Sequence, residues 1–301
     1  MNDASESSAM FAGLPGISGG TRVCAVIGDP IEHSISPPIH NAAFRSLNMD
    51  FTYVAFRVRR RELAQAIEGV RALGIAGLNV TRPHKATVMR SLDTIEKTAR
   101  EIGAVNTIVR SDAGLRGYNT DGQAALEVLR KLGGSLSGAR VAVLGAGGAS
   151  RAITYYLSKA VERVSVLNRT GAKGLRLARE VTRWSGTKCR SYRLNEANLR
   201  KETSESNILI NTLPVDVFSR FATTLTQQRL IRPGMIVFDA NYYDRESDFL
   251  AKAEQAGAKV SDGLEMLVGQ AALSFELWTG RSAPIDVMYQ AALEAKKAQT
   301  R

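Results

Sequence analysis

Only two cysteines occur among the 301 residues, Cys24 inside an apolar run and Cys189 far from it. They form neither a disulfide framework nor a metal-ligand spacing, so a reducing, cytoplasmic setting is the expectation. No run reaches the roughly eighteen consecutive apolar residues that a membrane helix needs. The first ten residues start acidic and lack the apolar centre of a secretory signal, so residues 1–20 are expected to form a loose tail. Internal repeats and long linkers are missing as well. His33 and His40 have no third partner at metal-ligand spacing; both are expected to be hydrogen-bonded structural residues, with no metal site. The net charge is +11, yet the densest basic run, Arg57-Val58-Arg59-Arg60-Arg61, has no interleaved aromatic residue. That argues against nucleic-acid binding and for a solvated face, the excess charge suiting an anionic cofactor and substrate instead. A hydrophobic content of 44% and this length allow two domains with separate cores.

The stretch R-V-A-V-L-G-A-G-G-A-S-R from Arg140 to Arg151 reads as a buried strand, a tight turn and a helix opening near Ser150. Gly145 permits the turn and Gly147 lets backbone amides approach a pyrophosphate. The run Gly145, Ala146, Gly147, Gly148, Ala149, Ser150 leads into a helix N-terminus with oriented N–H groups. Ser150 replaces the third glycine of the dinucleotide fingerprint, so a hydroxymethyl must fit between helix and strand. A glycine turn alone also joins elements that bind nothing. The next strand, Arg163 to Leu167, ends in Asn168-Arg169-Thr170. At that distance a free ribose hydroxyl wants an acid, whereas a 2′-phosphate wants a cation. Arg169, with Lys173 one turn into the following helix, favours NADP; the plain alternative is a solvated arginine at a strand end.

Upstream, a strand from Val23 to Ile27 runs into a proline-stiffened loop carrying Ser34 and Ser36, followed by the helix pattern Ile39, Ala42, Ala43, Leu47. Hydroxyls beside helix N-terminal amides suit a carboxylate, and helix capping alone is the simpler account. A strand from Phe51 to Val58 and a helix over about Glu62 to Leu73 lead to G-L-N-V-T-R-P-H-K. Asn79 and Thr81 alternate along a strand and emerge on one face. Pro83 suits a helix start, which would put Lys85 in a first turn where the dipole opposes a cation unless a carboxylate meets it. A helix from about Thr94 to Ile102 and a strand from Val105 to Arg110, with Asn106 near its start, lead through a turn to G-Y-N-T-D-G. Asp121 there is the N-cap of a helix ending at Gly133-Gly134, a reactant, or both. Ile208–Ile210 and Met235–Asp239 read as buried strands, Phe249–Ala256 as a helix, and Leu264–Trp278 as a helix returning to the first domain.

The motifs G-D-P-I-E-H-S-I-S-P-P-I-H-N, G-L-N-V-T-R-P-H-K, G-A-V-N-T, G-Y-N-T-D-G, G-A-G-G-A-S-R, N-R-T and D-G-L-E-M-L-V-G-Q-A-A appear in that order. In this series the chain resembles shikimate dehydrogenases from about Val23 to about Gly280. The resemblance implies an α/β fold with two domains. Residues 21–122 and 263–301 form the substrate-binding domain, completed by the C-terminal helices, and residues 123–262 an inserted Rossmann NADP-binding domain. It implies an NADP-dependent oxidoreductase that reversibly reduces 3-dehydroshikimate to shikimate, in cytoplasmic aromatic amino acid biosynthesis through the chorismate pathway. Its partner is a small-molecule substrate rather than nucleic acid or membrane, and the protein a monomer or homodimer. Lys85 and Asp121 correspond to the catalytic pair, and Ser34, Ser36 and Tyr242 to the carboxylate binders. Asn79, Thr81, Asn106 and Gln270 correspond to the groups that read the substrate hydroxyls. Leu213, Asp216, Ala240 and Glu265 depart from the family pattern on the cofactor side. Rival readings are a quinate or other polyol-acid dehydrogenase and, in another class, a noncatalytic NADP-binding regulator, which has no use for the Lys85 and Asp121 pair.

Overall fold

The computed structural model describes residues 16–133, 135–242 and 249–299. In chain order its first part contains β1 (Arg22–Gly28), α1 (Ser36–Ser46), β2 (Phe51–Arg57), α2 (Leu63–Ala72), β3 (Gly77–Val80), β4 (Thr94–Ile95), α3 (Lys97–Ile102), β5 (Thr107–Ser111) and β6 (Gly114–Tyr118). Next come α4 (Asp121–Gly133), β7 (Arg140–Leu144), α5 (Gly148–Leu157), β8 (Arg163–Asn168), α6 (Gly171–Ser185), β9 (Lys188–Arg193) and α7 (Glu196–Ser204). The remainder is β10 (Ile208–Asn211), α8 (Val215–Gln227), β11 (Ile236–Asp239), α9 (Phe249–Gln255), β12 (Lys259–Ser261), α10 (Gly263–Thr279) and α11 (Ile285–Gln299).

Among the described residues the twelve strands form two six-stranded sheets. The first has the order β2-β1-β3-β5-β6-β4 and is mixed, with β5 antiparallel to both neighbours. Strand β1 is buried on both faces, as its unbroken apolar run requires. Cys24 and Val26 meet Ile39, Ala43 and Phe44 of α1 and Phe275 and Trp278 of α10, while Ala25 and Ile27 meet Ile67 and Val70 of α2. The second sheet is wholly parallel, in the order β12-β11-β10-β7-β8-β9. Strand order reverses between β7 and β10, and in an open parallel sheet the crevice outside the carboxyl ends at that reversal is where ligands bind. The Gly145 turn leaves β7 at this crevice and Thr212 follows β10 there. Helix α10 joins the two halves. Its Val268 and Phe275 lie in the core of the first sheet and its Met266 in the core of the second, and the Trp278 indole donates to the Ile108 carbonyl at 3.0 Å.

Two local expectations fail, each through a hydrogen bond from a distant segment. No α-helix opens at Pro83: residues 82–87 form turns before a 3₁₀ segment, Val88–Ser91. The Lys85 carbonyl accepts the Val105 amide at 2.7 Å instead of serving a helical ladder, and the buried His84 ring is held to the Val58 carbonyl at 2.6 Å. The dipole argument for Lys85 therefore does not apply. The helix expected from Thr94 starts at Lys97, because Thr94 and Ile95 pair with β6 and the Glu96 carboxylate accepts the Ala99 amide as N-cap. The turn expected after Arg110 is present as the bend of a β5-β6 hairpin, and Gly114–Tyr118 beyond it form a strand. Of the expected tail, residues 1–15 lie outside the described residues, and Gly16 to Gly20 are exposed. Among the described residues no helix is long and apolar enough to cross a membrane.

Candidate active site

The glycine turn has the form a dinucleotide phosphate needs. Gly145 adopts φ +114°, a region closed to most side chains, and a Cβ there would collide with Thr212 Oγ1. A Cβ on Gly147 would meet nothing within 4 Å, so the backbone stands open to a ligand. Helix α5 begins at Gly148 with Gly147 as N-cap, two residues before Ser150. The Ser150 hydroxymethyl is fully buried and hydrogen-bonds Thr212 Oγ1, which in turn donates to the Leu144 carbonyl at 2.8 Å. A hydroxyl pair thus fills the space where a third glycine would allow direct packing. Asn168 ends β8 and its side chain donates to the Thr170 carbonyl at 2.9 Å, shaping the bend after the strand. Arg169 and Lys173 are exposed beside the N-terminus of α6, where Thr170 is the N-cap. A cradle open to a pyrophosphate, with cations beyond the neighbouring strand, fits NADP.

Across the crevice Lys85 Nζ lies 2.6 Å from Asp121 Oδ2, with side-chain exposures of 18% and 5%. Asp121 opens α4, where the helix dipole favours a carboxylate. Its other oxygen accepts Asn106 Nδ2 at 2.8 Å. The Lys85 stem runs against the glycine turn: a Cβ on Gly148 would stand 3.2 Å from Lys85 Cδ. The ammonium and the carboxylate therefore lie beside the glycine turn.

Behind the pair is a buried amide and hydroxyl network. Asn106 Nδ2 also donates to Thr120 Oγ1 at 2.8 Å and, more weakly, to Gln270 Oε1 at 3.3 Å. Asn106 Oδ1 accepts the Thr120 amide and the Thr107 hydroxyl. Asn79 accepts the Tyr53 hydroxyl at 2.7 Å and donates to Thr107 and Ser274. Thr81 follows β3, its amide on the Ile27 carbonyl. Thr107, Thr120, Ser274 and Tyr53 are members of the network that the motifs alone do not single out. Their signals are nonetheless present: Thr107 and Thr120 each follow an asparagine in the N-T pairs, and Ser274 stands four residues after Gln270, on one helix face.

Ser34 lies in the loop before α1 and Ser36 is its first residue, 8% exposed. The N-cap is Ile35, whose side chain cannot cap, and Ser34 Oγ accepts the Ser36 amide at 3.3 Å. Tyr242 packs on the same apolar cluster as Ile31 and Ile35, which flank Ser34. His40 corrects an expectation. Neither ring nitrogen has a partner at hydrogen-bond geometry, and the ring stacks on Tyr53 at 4.3 Å instead. Burial, only partly countered by the neighbouring Asn79 amide, drives its pKa from 6.5 down to about 3, so the ring is neutral. Among the departures, Leu213 is buried in the core behind β10 and Asp216 lies in the first turn of α8. The Ala240 carbonyl closes on Gly263, and Glu265 pairs with Lys131 at 3.5 Å.

The sequence matches the shikimate dehydrogenase substrate binding domain over residues 26–108, shikimate / quinate 5-dehydrogenase over residues 127–213 and the shikimate 5'-dehydrogenase C-terminal domain over residues 263–293. It is 43% identical over 276 residues to a shikimate dehydrogenase (NADP(+)) of Geobacillus kaustophilus, covering 91% of this chain and 98% of that one. It is 40% identical over 285 residues to the enzyme of the same name from Moorella thermoacetica, with coverages of 94% and 97%. The crystal structure of shikimate 5-dehydrogenase from Thermus thermophilus in complex with NADP(H) and shikimate superposes with a TM-score of 0.78 at 34% identity, covering 91% of this chain and 100% of that one. Identity of this extent over nearly the whole length, on a matching fold, places the chain in the shikimate dehydrogenase family.

Proposed function

We propose that the chain is an NADP-dependent shikimate dehydrogenase that reversibly reduces 3-dehydroshikimate to shikimate. The observation that carries this reading is the Lys85–Asp121 pair at 2.6 Å with the lysine stem against Gly148 of the cofactor turn. Gly145 to Ser150 would hold the pyrophosphate, and Arg169 with Lys173, beside Asn168 and Thr170, the 2′-phosphate. NADPH, when bound, supplies the hydride that the keto carbon accepts. As that carbon is reduced, negative charge builds on its oxygen, and the Lys85 ammonium stabilises the charge and transfers a proton to the oxygen. Asp121 holds the ammonium in place, and Asn106 holds Asp121. In the oxidation direction Lys85 Nζ takes the hydroxyl proton. Ser34, Ser36 and Tyr242 are assigned to the substrate carboxylate. Asn79, Thr81, Asn106 and Gln270 are assigned to its hydroxyls, and a site built this way rejects deoxy analogues because its polar groups would be left unpaired.

Two domains follow from the same reading, 21–122 with 263–301 for substrate and 123–262 for cofactor, as does a cytoplasmic place in aromatic amino acid biosynthesis. Steady-state oxidation of shikimate and quinate, each with NADP and NAD and followed by cofactor absorbance, tests the proposal. The largest specificity constant is expected for shikimate with NADP. A larger value for quinate with NAD overturns the substrate and cofactor assignment, and binding of NADPH with no turnover of any polyol acid favours a regulator.

A further inference from the structure

Arg151 takes no part in the chemistry above, yet it is among the most heavily engaged cations in the molecule. Its side chain is 14% exposed, its Nη1 lies 2.6 Å from Glu180 of α6, and its Nε donates to the Ile102 carbonyl at the end of α3. It also faces the Trp184 ring at 6.0 Å. Arg151 stands in the first turn of α5, where the helix dipole opposes a cation. A carboxylate and the carbonyl end of a second helix answer that field. Around it Ile102, Ala104, Ala152 and Tyr155 form a small buried cluster, and the Tyr155 hydroxyl bonds the Glu101 carboxylate. The seam joins α3, beside the first sheet, to α5 and α6, beside the second.

From Ile102 the chain runs through Gly103 and Ala104 to Val105, whose amide bonds the Lys85 carbonyl at 2.7 Å, and to Asn106, whose side chain bonds Asp121. From Arg151 the helix runs back one turn to Gly148, which abuts the Lys85 stem. The contacts thus close a ring: Gly148, Arg151, Ile102, Val105, Lys85 and Gly148 again. We infer that Arg151 is a positioning residue that fixes the separation between the cofactor turn and the Lys85–Asp121 pair. The inference rests on the proposed dehydrogenase function. Hydride transfer needs donor and acceptor held in a near-attack geometry, and a misplacement of about 1 Å from a remote change costs on the order of 10²-fold. The guanidinium meets the carbonyl through Nε and the carboxylate through Nη1, two separate nitrogens that one ammonium does not reproduce, so lysine is no substitute.

The test compares wild type with Arg151→Met, Arg151→Lys and Glu180→Gln. Amide hydrogen exchange is measured over residues 97–106 and 148–157, NADPH affinity by fluorescence titration, and turnover at saturation with shikimate carrying hydrogen or deuterium at C3. Arg151→Met is expected to lose protection in both segments together and to keep its NADPH affinity. Its kcat should fall by about 10²-fold, with a larger isotope effect on kcat because the misaligned hydride step becomes limiting. Arg151→Lys should not rescue, and Glu180→Gln should move in the same direction by less. A protein that is merely destabilised loses active fraction at an unchanged isotope effect, and that result overturns the inference. So does a loss of NADPH affinity that accounts for the whole loss of rate, which would make Arg151 a cofactor ligand. If wild type oxidises no shikimate, the dehydrogenase reading fails separately and exchange decides the clamp: coupled loss of protection supports it and unchanged protection overturns it.

Discussion

Replacing Lys85 by methionine keeps an unbranched stem against Gly148 and removes the ammonium that lies 2.6 Å from Asp121 Oδ2. Asp121, 5% exposed, then keeps the Asn106 amide on Oδ1 but loses its charge partner. Breaking a buried pair from one side costs about 3–5 kcal/mol, and the lower end applies because the lysine end of this pair is open enough for water to enter. The catalytic loss has a separate origin. Positioned proton transfer is worth about 10²–10⁴ in rate, or about 3–5 kcal/mol at 1.36 kcal/mol per factor of ten. The two losses separate in the double variant Lys85→Met with Asp121→Asn. The amide side chain still accepts from Asn106 but carries no stranded charge, so most of the stability returns and none of the turnover. Denaturant unfolding reads the first quantity, and NADPH absorbance with saturating substrates the second. A Lys85→Met protein with wild-type kcat would refute the reasoning, and so would a double variant whose turnover recovers along with its stability.

Gly148→Ala places a methyl 3.2 Å from Lys85 Cδ at a helix start where alanine is otherwise favourable. Its melting temperature should hold or rise while kcat falls, and a variant with unchanged kcat would show that the lysine stem moves aside without consequence. Arg169→Ser removes a cation from the expected 2′-phosphate position, where a charge-assisted hydrogen bond is worth about 1.5–3 kcal/mol. The KM for NADPH should rise roughly 10–100-fold with little change for NADH, and equal changes for both cofactors would refute the assignment. His40 has a folded-state pKa of about 3 against an ordinary 6.5, so its neutral ring contributes stability that is present above pH 6.5 and lost as pH falls through that interval. His40→Phe keeps an aromatic stack on Tyr53 and cannot titrate. The stability of wild type relative to the variant should therefore drop by up to about 1.4 kcal/mol per pH unit below that point, and a difference independent of pH would refute it.

The Rossmann half was legible because its signals are local. Four apolar residues from Val141 to Leu144, a glycine turn and a helix start follow one another within about ten positions, a pattern visible before the distant side chains that cover the strand are known. The first half was less so. Lys85 follows a proline that suits a helix, yet its carbonyl is taken by Val105; Thr94 continues a helical pattern, yet pairs with β6. Such bonds join residues about twenty positions apart, and no periodicity within a segment reports them.

What the sequence alone determined was the inventory: a dinucleotide turn, a cation where a ribose phosphate would sit, a lysine, an aspartate, and amides and hydroxyls at strand ends. Residue type and short spacing suffice for that, since backbone conformation and charge are local properties. Only the tertiary structure decided which of these groups meet. Lys85 and Asp121 are 36 positions apart and bond because the first sheet sets the Lys85 turn against the start of α4. The Ser150 hydroxyl found Thr212 rather than a void, and Arg151 found Ile102 and Glu180. These pairings depend on how two sheets pack through α3, α5 and α10, and packing is a property of the whole chain.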